Sequence, residues 1–188
     1  MADVHFQEVQ TPNPQGFQSD LWNVDTVTHL ETNLDDITGE NLSYVMDLLL
    51  QNGAIDVWAA PIVMKKGRPA HTLHCLCQED DNDQNNSKAK SLLKLIFLHS
   101  TTLGIRIYKD LPRVKLPRSF VTVQTRHENT KREGQVDLKI ATFQSGTIVS
   151  VKPEFDHCKE IAQETGLPIS AISQEATETF MKKHRTDE

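Results

Sequence analysis

Leu30, Thr32 and Leu34 alternate with Glu31, Asn33 and Asp35, and the chain then passes through Asp36-Ile37-Thr38 into Leu42, Val45, Met46 and Leu49. A period of two followed by a period of 3.6 describes a strand with one wet face that runs straight into an amphipathic helix. Thr38 is a suitable N-cap for that helix. The junction crowds four side chains with hard oxygens, Glu31, Asn33, Asp35 and Asp36, around a strand end and a helix mouth. Such donors suit Mg²⁺ or Mn²⁺, usually with a phosphate completing the shell. The two aspartates are equally suited to favouring the helix dipole and solvating a turn.

The rest of the chain arranges itself around this unit. The first strand covers about Val27–Leu34 and the first helix about Gly39–Asn52, with Gly53 at the left-handed position that ends helices. A second strand follows over Ile55–Met64, where Pro61 implies an edge or a bulge. After the basic turn Lys65-Lys66-Gly67-Arg68-Pro69 comes a third strand, Thr72–Cys77, then a polar acidic loop, Gln78–Asn86. A helix over Lys88–His99 and a strand over Leu103–Tyr108 complete the series. The order β-α-β-β-α-β predicts a ferredoxin-like α+β core. A boundary is expected after Leu111-Pro112, followed by a smaller subdomain of three strands (Phe120–Gln124, Gln135–Phe143, Thr147–Val151) and two helices (about Glu154–Thr165 and Ala171–Lys183). The expected divisions are thus a flexible tail over 1–23, the core over 24–110 and the subdomain over 111–188.

In the ferredoxin-like plan both helices cover one face of the sheet. Strand parity then turns Leu30, Thr32 and Leu34 toward the helices and leaves His29, Glu31 and Asn33 on the open face. The fourth strand, beside the first, sends Leu103, Ile105 and Ile107 inward and Arg106 and Tyr108 outward, and the third strand can present His74 on the same open face. That surface must be wet, ligand-filled or paired with another subunit, and together with the other sheet edges it predicts a homo-oligomer.

Charge and composition narrow the choice of partner. A net charge of −6 argues against a general nucleic-acid binder, so an anion site has to be a local cluster of cations. No apolar run approaches a membrane span and no signal peptide is evident, while three cysteines without a regular framework fit a reducing compartment, so a cytoplasmic protein is expected. Cys75 and Cys77 are two apart on one strand face and are expected in the core. The eight histidines are scattered, with no H-x-H or H-E-x-x-H cluster, which predicts weak nickel binding by this chain. No catalytic constellation can be assembled from spacing.

Lys65, Lys66 and Arg68 around Gly67 form a compact cationic turn, suited either to phosphate or to a solvated hairpin. It is not a Walker loop, because the chain has no G-x-x-x-x-G-K-[ST]. Ser100-Thr101-Thr102-Leu103-Gly104-Ile105-Arg106 adds hydroxyls, a glycine expected within a strand and an arginine aimed at the open face; Lys152 lies near a helix start.

Glu31–Glu40, Met64–Pro69, Thr101–Arg106 and Val151–Phe155, in this order, resemble the C-terminal half of the LarC family over about Val27–Phe180. That family inserts nickel into the pincer cofactor of lactate racemase. The resemblance implies CTP- and divalent-metal-dependent insertion of Ni²⁺ into pyridinium-3,5-bisthiocarboxylic acid mononucleotide, a lyase-class reaction. It associates this half with Mn²⁺- or Mg²⁺-CTP and with assembly, and places nickel handling in an N-terminal half that is not part of this chain. On that expectation Glu31, Asn33, Asp35 and Asp36 hold the divalent ion, and Lys65, Lys66, Arg68 and Arg106 hold the triphosphate with support from Thr101, Thr102 and Lys152. The competing expectation is a non-catalytic ferredoxin-like regulatory or oligomerisation module that binds a small anionic effector, since fold alone does not separate the two.

Overall fold

Thr38 caps the first helix as its chemistry suggests: its hydroxyl accepts the Asn41 N–H at 3.2 Å. In a computed structural model, which describes residues 14–78 and 88–186, the elements β1 (Asn23–Leu34), α1 (Gly39–Gln51), β2 (Asp56–Met64), β3 (Arg68–Cys77), α2 (Lys88–His99) and β4 (Arg106–Lys115) follow in turn. Four strands join in the order β2-β3-β1-β4, with β3 antiparallel to both β1 and β2. This is the ferredoxin-like plan. Pro61 sits in β2, an edge strand, where a missing N–H is tolerated.

Both helices bury their apolar stripes on one face of the sheet. Leu42, Val45 and Leu49 of α1 and Ala89, Leu92 and Ile96 of α2 meet Leu30 and Leu34 of β1, Val57 of β2 and Leu73, Cys75 and Cys77 of β3. Among the described residues no helix is long and apolar enough to cross a membrane. The expected acidic loop lies, from Glu79 onward, outside the described residues.

Cys75 and Cys77 are completely buried core residues, and burial together with the neighbouring Cys77 pushes the Cys75 thiol up to about 12. Folding therefore favours the protonated thiol. The stabilisation from Cys75 is present below the unfolded-state pKa of about 8.5 and is lost as pH rises toward 12, at up to about 1.4 kcal/mol per pH unit. We expect a thiol reagent to label neither Cys75 nor Cys77 in the native protein at pH 8, and the urea midpoint to fall between pH 9 and 11. Rapid native labelling of either residue would contradict the burial.

The structure corrects three expectations about the connections. The fourth strand begins at Arg106, not Leu103; Leu103 is 99% exposed and Gly104 lies in the link from α2 rather than in a strand. That strand does not end at Tyr108: β4 runs on through Leu111-Pro112 to Lys115 as an edge strand, where proline is accommodated. The chain divides between Arg113 and Val114, into a unit built on Val24–Arg113 and another on Gln18–Asn23 together with the chain from Val114 onward. Finally, the end of the expected tail is ordered. The Gln144 backbone N–H donates to the Leu21 carbonyl, and its side-chain amide donates to the Trp22 carbonyl at 3.0 Å and Asn23 Oδ1 at 2.8 Å.

In the second unit β5 (Arg118–Gln124), β6 (Gln135–Thr142) and β7 (Ile148–Pro153) form an antiparallel sheet. Helices α3 (Phe155–Thr165) and α4 (Ile169–Thr186) cover it. Val123, Val136, Leu138 and Ile140 pack against Cys158, Ile161, Ile172, Ala176 and Phe180. Gly166 ends α3 at φ 71°, the left-handed conformation that glycine takes without a Cβ clash.

Candidate functional site

The alternation in β1 separates its side chains as parity requires. Leu30, Thr32 and Leu34 are buried on the helix side, while His29, Glu31 and Asn33 are half-buried on the other. Register then brings partners to them: Glu31 lies opposite His74, and Asn33 opposite Thr72. From β4, Arg106 donates through Nε to Glu31 Oε1 at 2.6 Å and through Nη2 to Asn33 Oδ1 at 2.8 Å. Asn33 Oδ1 also accepts the Thr72 hydroxyl at 3.1 Å. Farther along the same face, Arg68 Nη1 donates to Asp35 Oδ2 at 3.0 Å.

Around the helix mouth the other predicted residues part company. The Thr101 hydroxyl donates to Asp36 Oδ1. Thr102 is engaged on the opposite side of the sheet, where its hydroxyl meets that of buried Thr32 and donates to the Gly104 carbonyl at 2.9 Å. It shapes the loop before β4. Lys65 and Lys66 are exposed in the tight turn between β2 and β3, with Lys66 at φ 65°, a left-handed conformation uncommon for a lysine. Neither forms an ion pair among the described residues. Lys152 belongs to the second unit, on β7 opposite Lys139. Of the expected set, then, Glu31, Asn33, Asp35, Arg68 and Arg106 share the open face, Asp36 and Thr101 pair at its margin, Thr102 is on the helix side, and Lys152 belongs to the second unit.

Sequence reading missed a second group on the same face. His29 Nε2 and His74 Nδ1 are 3.0 Å apart, and Glu31 Oε2 is 3.4 Å from His74 Nδ1. The indole of Trp58 stacks on His74 at 4.8 Å between centroids, and the Tyr108 ring stacks on His29 at 5.6 Å. Burial, followed by the neighbouring His74, lowers the His29 pKa against the opposing pull of Glu31. His29 is thus neutral at pH 7 and offers a lone pair. Parity had placed His29, Glu31 and His74 on the open face, but their convergence depends on the β1–β3 register, which no local pattern encodes.

Fold and site together define a ferredoxin-like domain whose uncovered sheet face carries carboxylates, arginines and imidazoles in direct contact. A family model described as nickel insertion protein matches residues 4–173, and the chain belongs to that family. It is 38% identical over 143 residues, 76% of its length, to the pyridinium-3,5-bisthiocarboxylic acid mononucleotide nickel insertion protein of Thermotoga petrophila. It is 41% identical over 152 residues, 81% of its length, to the protein of that name from Lactiplantibacillus plantarum. The chain spans only 32% of the length of each of these relatives. A solved structure of LarC2, the C-terminal domain of a cyclometallase involved in the synthesis of the NPN cofactor of lactate racemase, in its apo form, superposes with a TM-score of 0.71 and 39% identity. That match covers 84% of this chain and 99% of LarC2, which identifies the chain with the LarC C-terminal half. A Methanopyrus kandleri protein matches with a TM-score of 0.60 and 29% identity over 84% of this chain and 89% of its own.

Proposed function

We propose that this chain is the nucleotide-binding half of a nickel insertion system, which takes up CTP together with a divalent ion on the open sheet face and contributes to assembly. The reading rests on the arginine–carboxylate pairs Arg106–Glu31 and Arg68–Asp35 on that uncovered face. A metal–triphosphate offers an anion to each arginine and a cation to each carboxylate, so it can enter this array without leaving a charge unmatched. The donor set fits a hard ion such as Mg²⁺ or Mn²⁺, which needs only one or two protein carboxylates when phosphates supply the rest. Asp35 and Asp36 serve as the direct ligands, with Glu31 and Asn33 acting through water and through Arg106. Exposed Lys65 and Lys66 add charge to the triphosphate end, and Thr101 releases Asp36 to the ion.

Insertion of Ni²⁺ into pyridinium-3,5-bisthiocarboxylic acid mononucleotide, the reaction named for the relatives, then needs the remaining two-thirds of such a protein. Calorimetric titration of CTP with Mn²⁺ or Mg²⁺, repeated in EDTA and followed by sedimentation, tests the proposal. We expect binding only with the divalent ion, and an oligomer in solution. Equal uptake of CTP, citrate and inorganic phosphate in EDTA would favour a metal-independent effector module instead.

A further inference from the structure

His29 Nε2, His74 Nδ1 and Glu31 Oε2 converge on one point of the open face, and the ligand atoms of the three residues lie within 4.8 Å of one another. Among the described residues no other group of three histidine, cysteine or carboxylate side chains gathers in this way. His74 Nδ1 lies at the centre of the group, 3.0 Å from His29 Nε2 and 3.4 Å from Glu31 Oε2. We propose that this is a binding site for a borderline divalent transition ion, Ni²⁺ or Zn²⁺, held by His29, Glu31 and His74.

Separations support the assignment. Ions bound at about 2.0–2.1 Å hold neighbouring ligand atoms roughly 2.9 Å apart in octahedral and roughly 3.3 Å apart in tetrahedral geometry. The two edges at His74 Nδ1, 3.0 and 3.4 Å, fall beside these values, and with all three ligand atoms inside 4.8 Å a side-chain shift closes the edge between His29 and Glu31. Two imidazoles and one carboxylate form a set that Ni²⁺ and Zn²⁺ accept and that Mg²⁺ does not favour. His29 would coordinate through Nε2 and His74 through Nδ1, each ring then carrying its proton on the other nitrogen.

The surroundings fix the ligands before any ion arrives. Trp58 stacks within 11° of the His74 plane and Tyr108 within 25° of the His29 plane. Arg106 holds Glu31 by its other oxygen, Oε1, and so leaves Oε2 to face the imidazoles. Ordering cost on binding is correspondingly reduced, and such outer partners commonly contribute 10–100-fold in metal affinity. The scatter of histidines that argued for weak nickel binding does not extend to this pair once β1 and β3 are in register.

The inference does not depend on CTP, and its test uses the full 188-residue chain without nucleotide. Titration with Ni²⁺ and with Zn²⁺ is expected to give one strong site per chain that a large excess of Mg²⁺ does not displace. His29→Gln and His74→Gln should each weaken that site at least about 10–100-fold, while Asp35→Asn, which belongs to the nucleotide proposal, leaves it intact. Wild-type imidazole NMR provides a reading that needs no variant: substoichiometric paramagnetic Ni²⁺ should broaden His29 and His74 first. Absence of a strong site in the wild type, retention of it in both glutamine variants, or first broadening at other histidines would overturn the assignment.

Discussion

Replacing Arg106 with alanine is expected to weaken CTP binding by roughly 30-fold or more, with little change in thermal unfolding. A triphosphate carries several negative charges, and a chain of net charge −6 cannot attract it without local compensation. In the proposed complex the divalent ion would supply part of that compensation and shield Asp35 and Asp36 from the phosphates. Arg106 would supply another part through paired N–H donors, which already form a fork to Glu31 and Asn33. Truncating a charged partner that is desolvated in the complex typically costs about 2–5 kcal/mol, which sets the scale of the loss. In the free protein the arginine is 47% exposed, so its ion pair contributes under about 1 kcal/mol to folding. Calorimetry and thermal melts on the same samples separate the two effects. Unchanged CTP affinity in a variant that melts like the wild type would remove Arg106 from the site.

The largest effect on stability is expected at Leu73. This residue is 1% exposed in β3, between Thr72 and His74, and packs in the core beneath α1 and α2. Leu73→Ala removes three buried carbons and leaves a cavity that helix–sheet packing closes only in part, for a loss of about 2–5 kcal/mol. Against a total stability of roughly 5–15 kcal/mol this is a large fraction. Because Thr72 and His74 leave the same strand on the opposite face, the variant should also loosen contacts to Asn33 and Glu31. Urea denaturation reads the first effect and the His74 imidazole resonance the second. A loss below 1 kcal/mol would show that the core reclosed around the truncation.

Local chemistry made much of the fold legible. Thr38 caps α1, Gly53 and Gly166 follow α1 and α3 with positive φ, and Pro61 marks an edge strand. Alternation in β1 settled which side chains face the helices, because a strand's side-chain period is two whatever surrounds it. The hydrophobic alternation of Leu103, Ile105 and Ile107 misled for a related reason. Alternation creates a strand only where a neighbour can complete its hydrogen bonds, and the link before Arg106 is instead tied by Thr102 and Gly104 to Thr32.

The candidate site divides along the same line. That Glu31, Asn33 and Arg106 project from one face follows from parity and from the order of the elements, and both can be read along the chain. Which atoms meet depends on register: a pairing shifted by one residue would turn a strand's side chains to the other face. Register is set by the packing of Leu30, Leu34, Leu73 and Cys75 against the two helices, a tertiary property. The amino-acid sequence by itself therefore determined the charged open face and its family. Only the tertiary structure brought His29, Glu31 and His74, separated by up to 45 positions in the chain, to a common point.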